Sequence, residues 1–307
     1  MRWDAIAGGL VLGFVADRLL GDPSRLHPVA GFGQSAARLE KVLWTPQRSR
    51  GALAVAAAVA PPMTLGVVAQ RLPPPWRTVA MAGATWAALG GSSLEREGRA
   101  LHALLRADDI QGARVRITHL VGRDPRNLDP DEIARACVES LAENSADAVV
   151  APLLWGAVAG IPGVLGYRAV NTLDAMWGHR SDRYREFGWA AARLDDIANW
   201  LPARLTVALA AALAGRRAPD VMRIVRRDAP RHPSPNAGPV EAAWAQALGI
   251  RLGGTNTYGT QVEHRGTLGD GRPVRAEDIP RATAMLGRLS WAGLGVVVLG
   301  RLVLRRR

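Results

Sequence analysis

The chain has 307 residues, 48% of them hydrophobic, and a formal charge of +12 in which Lys41 is the only lysine, so arginine carries the positive charge. Its mean hydropathy is +0.01, so the apolar residues must be clustered and offset by very polar stretches. The length suffices for one large or two ordinary domains with a buried core. No basic-plus-aromatic module accompanies the charge, so nucleic acid is not an expected partner. With Cys137 as the only cysteine, an internal disulfide and a cysteine-based metal site are both excluded.

Four segments approach the roughly 20 apolar residues that a membrane-spanning helix needs. They are 4–20, 51–70 with Pro61 and Pro62 inside, 76–93 around Trp86, and 284–304, which runs into Arg305, Arg306 and Arg307. A cleaved signal peptide at 1–20 is rejected. Asp4 spoils the positive n-region, and no small-x-small site precedes Asp17. Between the first two segments lies the turn Gly21-Asp22-Pro23, followed by His27-Pro28-Val29. His27 is either a structural loop residue or a general base, histidine being the side chain whose reference pKa lies near neutrality. The positive charges of 21–50 place that segment in the cytoplasm.

Residues 95–121 read as helical, and Gly122-Arg123-Asp124-Pro125 reads as a turn. A second helix opens at Asp129-Pro130-Asp131-Glu132 with a good N-cap and acids in its first turn. On it Glu139, Glu143 and Asp147 are spaced four apart and share one face, with Asn144 beside them. Like charges at that spacing destabilise a plain helix. A Mg²⁺ ion would reverse the sign, and a solvated acidic face is the bland alternative. These acids lead into 146–167, an apolar segment broken by Pro152, Gly160, Pro162, Gly163 and Gly166, read as re-entrant or half-buried.

Beyond it, Arg168, Asn171 and Asp174 are three apart on one helical face. Arg193-Leu-Asp195-Asp196-Ile-Ala-Asn199 then sets acids and an amide at the lip of 201–214, a short apolar segment. His232-Pro-Ser234-Pro235-Asn236-Ala-Gly238-Pro239 precedes a helical run at 241–248 and can aim N–H groups at an anion. The run Gly253-Gly254-Thr255-Asn256-Thr257-Tyr258-Gly259 reads either as a phosphate wrap or as a plain turn. No Walker A motif, nucleophile elbow or dinucleotide fingerprint occurs.

Taken in order, Asp17-x-x-x-Gly21-Asp22-Pro23, His27-Pro28-Val29, Glu139 to Asp147, Asn171-Thr-Leu-Asp174, Arg193 to Arg204 and Ser234-Pro235-Asn236-Ala-Gly238 resemble the CobD/CbiB family along nearly the whole chain. One departure is Gly238-Pro239, where the family pattern has an aromatic residue after the glycine. The resemblance implies an all-α, polytopic integral membrane protein of four to six transmembrane or re-entrant helices, a single membrane-embedded domain over 1–307. Its polar functional segments would be 21–50, 94–145 and 168–284, and its place the cell inner membrane.

The implied reaction condenses adenosylcobyric acid with (R)-1-amino-2-propanol phosphate or ethanolamine phosphate to give adenosylcobinamide phosphate, using ATP and Mg²⁺. Its partners would be the corrinoid, the amino-alcohol phosphate, the bilayer and other late cobalamin-synthesis enzymes. Under that reading Glu139, Glu143, Asp147, Asp195 and Asp196 are the candidate metal ligands. Asp22, His27, Glu143 and Asp174 are the catalytic candidates. Arg183, Arg193 and Arg204 would clamp phosphate, and Asn144, Asn171, Asn199, Asn236 and Gly238 would bind and orient substrate. A Mg²⁺-dependent membrane transferase acting on a lipid phosphate and a non-enzymatic membrane sensor or transporter are the competing readings.

Overall fold

The computed structural model describes residues 4–22, 27–122, 124–179, 181–258 and 261–305. Pro23 of the N-terminal motif, Arg123 of the predicted turn and Gly259 of the glycine-rich run lie outside them. In chain order the helices are α1 (Ala5–Leu20), α2 (Pro28–Leu43), α3 (Arg48–Gln70), α4 (Pro74–Ala88), α5 (Gly91–Arg106), α6 (Ile110–Ile117), α7 (Pro130–Ser145), α8 (Ala151–Ala159), α9 (Ile161–Trp177), α10 (Trp189–Leu213), α11 (Ala218–Asp228), α12 (Ala237–Leu248) and α13 (Asp278–Leu304). A π turn, Ala146–Val150, joins α7 to α8. Three strands, β1 (Ile250–Tyr258), β2 (Gln261–Leu268) and β3 (Arg272–Pro273), separate α12 from α13.

The helix starts follow local chemistry. Proline occupies the first turn of α2, α4, α7, α9 and α11, where its missing N–H is not needed. Asp129 caps α7 as expected and forms a reciprocal capping box with Glu132.

The predominantly helical fold agrees with the sequence, with four differences. The predicted spans 4–20 and 76–93 become α1 and α4, of 16 and 15 residues, about 24 and 22 Å long against a hydrocarbon core of about 30 Å. Among the described residues, only α3 and α13 are long and apolar enough to cross a membrane. Leu65 and Val68 on α3 stay 63% and 58% exposed. The helical stretch 95–121 is divided between α5 and α6 at Asp108, which takes φ 56°. Segment 146–167 is the π turn, α8 and the start of α9, interrupted at Gly160, whereas 201–214 is the second half of one longer helix, α10.

The fourth difference is the glycine-rich run, which is neither a plain turn nor a wrap but strand β1. It pairs antiparallel with β2 and, over two residues, parallel with β3. Thr255 and Thr257 are β-branched and favour extended backbone. Gly253 and Gly254, at φ 77° and 91°, sit at the register shift between Gly253 and Thr255, where a bulge needs a left-handed residue.

The chain forms two compact units. The first contains the chain up to Gly90, Asp147–Asn199 and the chain from Leu294 onward; the second contains Gly91–Ala146 and Trp200–Gly293.

In the first unit α1 packs on α4 through Gly9 and Gly13, four residues apart. A Cβ at Gly9 would strike Met81, and one at Gly13 would strike the Ala82 carbonyl and Thr85. Small residues at this spacing let two helix backbones approach closely. The core joins Ala54, Val55, Ala58 and Val59 of α3 to Ala169, Val170 and Leu173 of α9. Trp177 and Phe187 close it edge to face, 5.3 Å between centroids. Asp4 caps α1 by accepting from the Ile6 and Ala7 N–H groups, and it also pairs with Arg301 and Arg305 at 3.1 Å each. The start of α1 and the end of α13 are thereby joined.

In the second unit α5, α6 and α7 pack together, and α12 packs against β1. Leu101, Ile117, Ile133, Leu141 and Trp244 are fully buried. Buried Asp278 starts α13 by accepting from Arg272 (2.7 and 2.8 Å) and Arg281 (2.6 Å).

The close α1–α4 contact leads to a prediction. Gly13→Leu should lower stability by about 1–3 kcal/mol, the usual cost of overpacking. Thermal unfolding in detergent would read this as a lowered midpoint, with Gly31→Leu, where a Cβ meets nothing within 4 Å, as the unaffected control.

Candidate active site

The site is built where helices are interrupted. Pro152 has no N–H for the Ala148 carbonyl one turn earlier, and that oxygen accepts instead from the Gly90 N–H at 3.1 Å. Pro202 likewise releases the Ala198 carbonyl, which accepts from the Trp155 indole N–H at 3.0 Å. The Asp147 carbonyl, within the π turn, accepts from the Tyr167 hydroxyl at 3.0 Å. At the start of α9 the Gln70 side chain accepts the Ile161 N–H at 3.1 Å, beside Gly160 at φ 71°.

Those constraints bring Asp147, Tyr167, Arg168, Asn171, Asp195 and Asn199 into one hydrogen-bonded network within the first unit. The Asn171 amide donates to Asp195 at 3.3 Å and to Asp147 at 3.5 Å. Arg168 donates to the Asn171 oxygen at 3.2 Å. Asn199 donates to Asp195 at 2.9 Å, and its amide oxygen lies 2.8 Å from the Tyr167 hydroxyl. Asp147 and Asp22 both act electrostatically on Arg168.

Burial pushes the Asp195 carboxyl above its ordinary range. The amide donors of Asn199 and Asn171 oppose that shift, and the neighbouring charge of Asp196 adds to it. Three separate sequence signals therefore meet: the end of the Glu139–Asp147 stretch, the Arg168/Asn171 face and the Asp195/Asn199 pair.

His27 caps α2. Its Nδ1 accepts the Val29 N–H at 3.1 Å, which leaves the ring proton on Nε2, 3.7 Å from Asp22. Asp174 lies three residues past Asn171 on α9, and a Cβ at Gly178 would collide with its carboxylate. Asp196 pairs with Arg193 at 3.5 Å on the exposed side of α10.

Arg183 turns inward to Glu40, which accepts from it at 2.8 Å, from Tyr184 at 3.0 Å and from the buried Trp177 indole at 3.1 Å. Arg183 also lies over the Trp44 ring at 4.6 Å. Its charge thus helps to fix the loop after α9 against α2.

In the second unit Glu139 is buried. It accepts from Arg135 at 3.2 Å and from the Gly253 N–H at 2.9 Å, which anchors α7 to β1. Asn144 donates to Ser140 on its own helix, and Glu143 is half-buried one turn beyond Glu139. Arg204 donates to Asn236 at 2.8 Å and stacks on Trp200 at 4.8 Å. The Asn236 and Ala237 N–H groups expected to face an anion are bonded to Ser234 Oγ. Gly238 is required by close approach, since a Cβ there would meet His232.

Among the described residues, no three of His, Cys, Asp and Glu are placed to hold a metal ion. Asp147 and Asp195 are nevertheless both within 3.5 Å of one amide nitrogen, and Mg²⁺ with phosphate ligands commonly takes one or two carboxylates. That pair is the candidate for such an ion. Burial pushes the Cys137 thiol up to about 12, which leaves no thiolate at neutral pH.

Tyr167, Glu40 and Gln70 were not anticipated. Tyr167 was the most readable of them, because it precedes Asn171 by four and so shares the face already noted for Asn171 and Asp174.

Comparison with known proteins agrees with the family resemblance of the sequence. The CobD/Cbib protein family model matches residues 10–286, and the chain belongs to this family, which acts in cobalamin biosynthesis. It is 50% identical to the cobalamin biosynthesis protein CobD of Mycobacterium tuberculosis, covering 99% of this chain and 98% of that one. It is 43% identical to the CobD of Rhodobacter capsulatus (95% and 96%) and 34% identical to that of Clostridium perfringens (96% and 98%). No solved structure matches.

The raised Asp195 carboxyl has a pH consequence. The folded state holds this proton more tightly than the unfolded chain, whose carboxyl titrates near 3.9. The stabilisation is full below that value and is lost as pH rises through the folded one. Subtracting the thermal-stability profile of Asp195→Asn from that of the wild type should leave a fall in stability with rising pH across this window. A flat difference would show that Asp195 is not desolvated.

Proposed function

We propose that the chain is a multi-pass inner-membrane synthase that joins the carboxylate of adenosylcobyric acid to the amine of an amino-alcohol phosphate, giving adenosylcobinamide phosphate. The observation that carries this reading is the convergence of Asp147, Asn171, Asp195 and Asn199, from three family-like segments, into one buried network. Membership of a cobalamin-biosynthesis family supports it, and that membership favours neither the lipid-phosphate transferase nor the sensor reading.

A carboxylate and an ammonium ion do not condense unaided at neutral pH. Phosphoryl transfer from ATP to the carboxylate would give an acyl phosphate and ADP; attack by the neutral amine would then form the amide and release phosphate. Asp147 and Asp195 would hold Mg²⁺, which would neutralise phosphate charge there. Arg168 is the cation already inside the network, suited to an anionic substrate group. Asn171 and Asn199 hold the two carboxylates in place, so substrates would meet a preorganised polar surface. The ammonium proton would pass to Asp22, Asp174 or Glu143. His27 joins them only if its ring changes tautomer, because its Nδ1 lone pair is already used.

The chain can be tested in a bacterium that lacks its own synthase and is fed cobyric acid. The wild type should restore cobamide-dependent growth. Asp147→Asn and Asp195→Asn should each lower synthesis about a hundredfold or more while the protein still accumulates in the membrane. Growth equal to wild type with both variants would sink the proposed site.

Topology has a separate test. The substrates are cytoplasmic, so cysteines placed at Ser181 and Ser234 should both label from the cytoplasmic side. The buried native Cys137 gives little background, and labelling from opposite sides would refute a common compartment.

A further inference from the structure

We infer that the second unit carries a binding site for the phosphoryl end of a small phosphorylated molecule, built from Arg227, Arg231 and Arg251. These arginines line a pocket of about 400 Å³ together with Thr267, Gly269 and Asp270. No motif-level reading had singled out any of the six.

The bed of the pocket is rigid. Asp228, the last residue of α11, is fully buried. It accepts from Arg227 twice, at 2.7 and 2.8 Å, and from the Gly269 N–H at 3.0 Å, with Arg231 at 3.4 Å. Arg227 holds the Asp228 carboxyl below its ordinary range, so it stays ionised at neutral pH. The same guanidinium donates to Asp270 at 2.6 Å. One buried carboxylate thus fixes the plane of Arg227 and ties the turn after β2 to α11.

The remaining charge faces the pocket. Arg231 is 58% exposed and holds Asp228 through one nitrogen only. The Arg251 side chain makes no hydrogen bond or ion pair among the described residues. Three arginines therefore line a pocket in which, among the described residues, Asp270 is the one acid of the lining. Their mutual repulsion would be relieved by an anion, and the planar guanidinium fork matches phosphate oxygens in bidentate fashion.

Thr267 adds a hydroxyl, and among the described residues no aromatic ring lines the pocket to stack a base or a corrin. Recognition would therefore fall on the phosphate. The volume lies in the range of small-molecule sites. The phosphoryl group could belong to a polyphosphate or to the phosphomonoester of a small amine. Binding here is independent of the chemistry proposed for the first unit.

The test is equilibrium binding to the full chain in detergent, using pyrophosphate, O-phosphoethanolamine and sulfate as probes, with Arg231→Gln, Arg251→Gln and Asp195→Asn beside the wild type. At least one phosphate probe should bind saturably and more tightly than sulfate. Each arginine variant should weaken it about tenfold at unchanged thermal stability, and Asp195→Asn should leave it intact. Tighter pyrophosphate binding would identify a polyphosphate, and tighter phosphoethanolamine binding a phosphomonoester. No saturable binding, affinity unchanged in both arginine variants, or equal affinity for sulfate would overturn the inference.

Discussion

Pro152 and Pro202 each leave a helical carbonyl without its usual N–H, and in apolar surroundings an unpaired carbonyl is costly. The Gly90 N–H answers the first and the Trp155 indole the second. Both donors are fixed in the first unit, so these bonds also fix the backbone where they land. Asp147 is the residue before Ala148, and Asn199 the residue after Ala198. Tyr167 completes the arrangement, because its hydroxyl donates to the Asp147 carbonyl and lies 2.8 Å from the Asn199 oxygen. Satisfying the interrupted helices and assembling the polar network are the same structural event. Side-chain donors of this kind allow broken helices to persist at apolar depth, and they give the acids a reproducible geometry.

The arginines divide the polar chemistry of both units. Many are committed to carboxylates: Arg183 to Glu40, Arg135 to Glu139, Arg272 and Arg281 to Asp278, Arg301 and Arg305 to Asp4. Several of these carboxylates are nearly or fully buried, and a buried acid keeps its charge only if a cation or several donors meet it. A good part of the positive charge therefore serves internal pairing. The arginines whose partners do not consume them stand out against this background. Arg168 sits within the network of the first unit, and Arg231 and Arg251 in the pocket of the second.

Local features were readable from the sequence, and distant ones were not. The Asp129 cap, the proline-led helix starts and the Asp195–Asn199 pair all involve residues within four positions of each other, and each is present. The shared face of Arg168 and Asn171 is also local. By contrast, the partner of Glu139 is a backbone N–H 114 residues away, and Glu40 meets Trp177 across 137 residues. No periodicity reports such contacts. The hairpin was missed for another reason. Gly253 and Gly254 suggest a turn when taken alone, and only their place at a register shift explains how a strand tolerates them.

The metal reading of Glu139, Glu143 and Asp147 shows how one interruption alters an inference from spacing. Residues four apart share a face only while the helix keeps 3.6 residues per turn. Here α7 ends at Ser145 and a π turn begins at Ala146, so Asp147 no longer follows the phase set by Glu139. The two acids then take different partners, Glu139 in the second unit and Asp147 in the first. The warning was present in the sequence, since Pro152 follows Asp147 by five and lacks the N–H that would bond the helical carbonyl one turn back, which favours a kink or break there. Combining that break with the 3.6-residue period separates the carboxylate that anchors α7 to β1 from the one in the polar network, and it directs attention from the run of acids to Asp147 and Asp195.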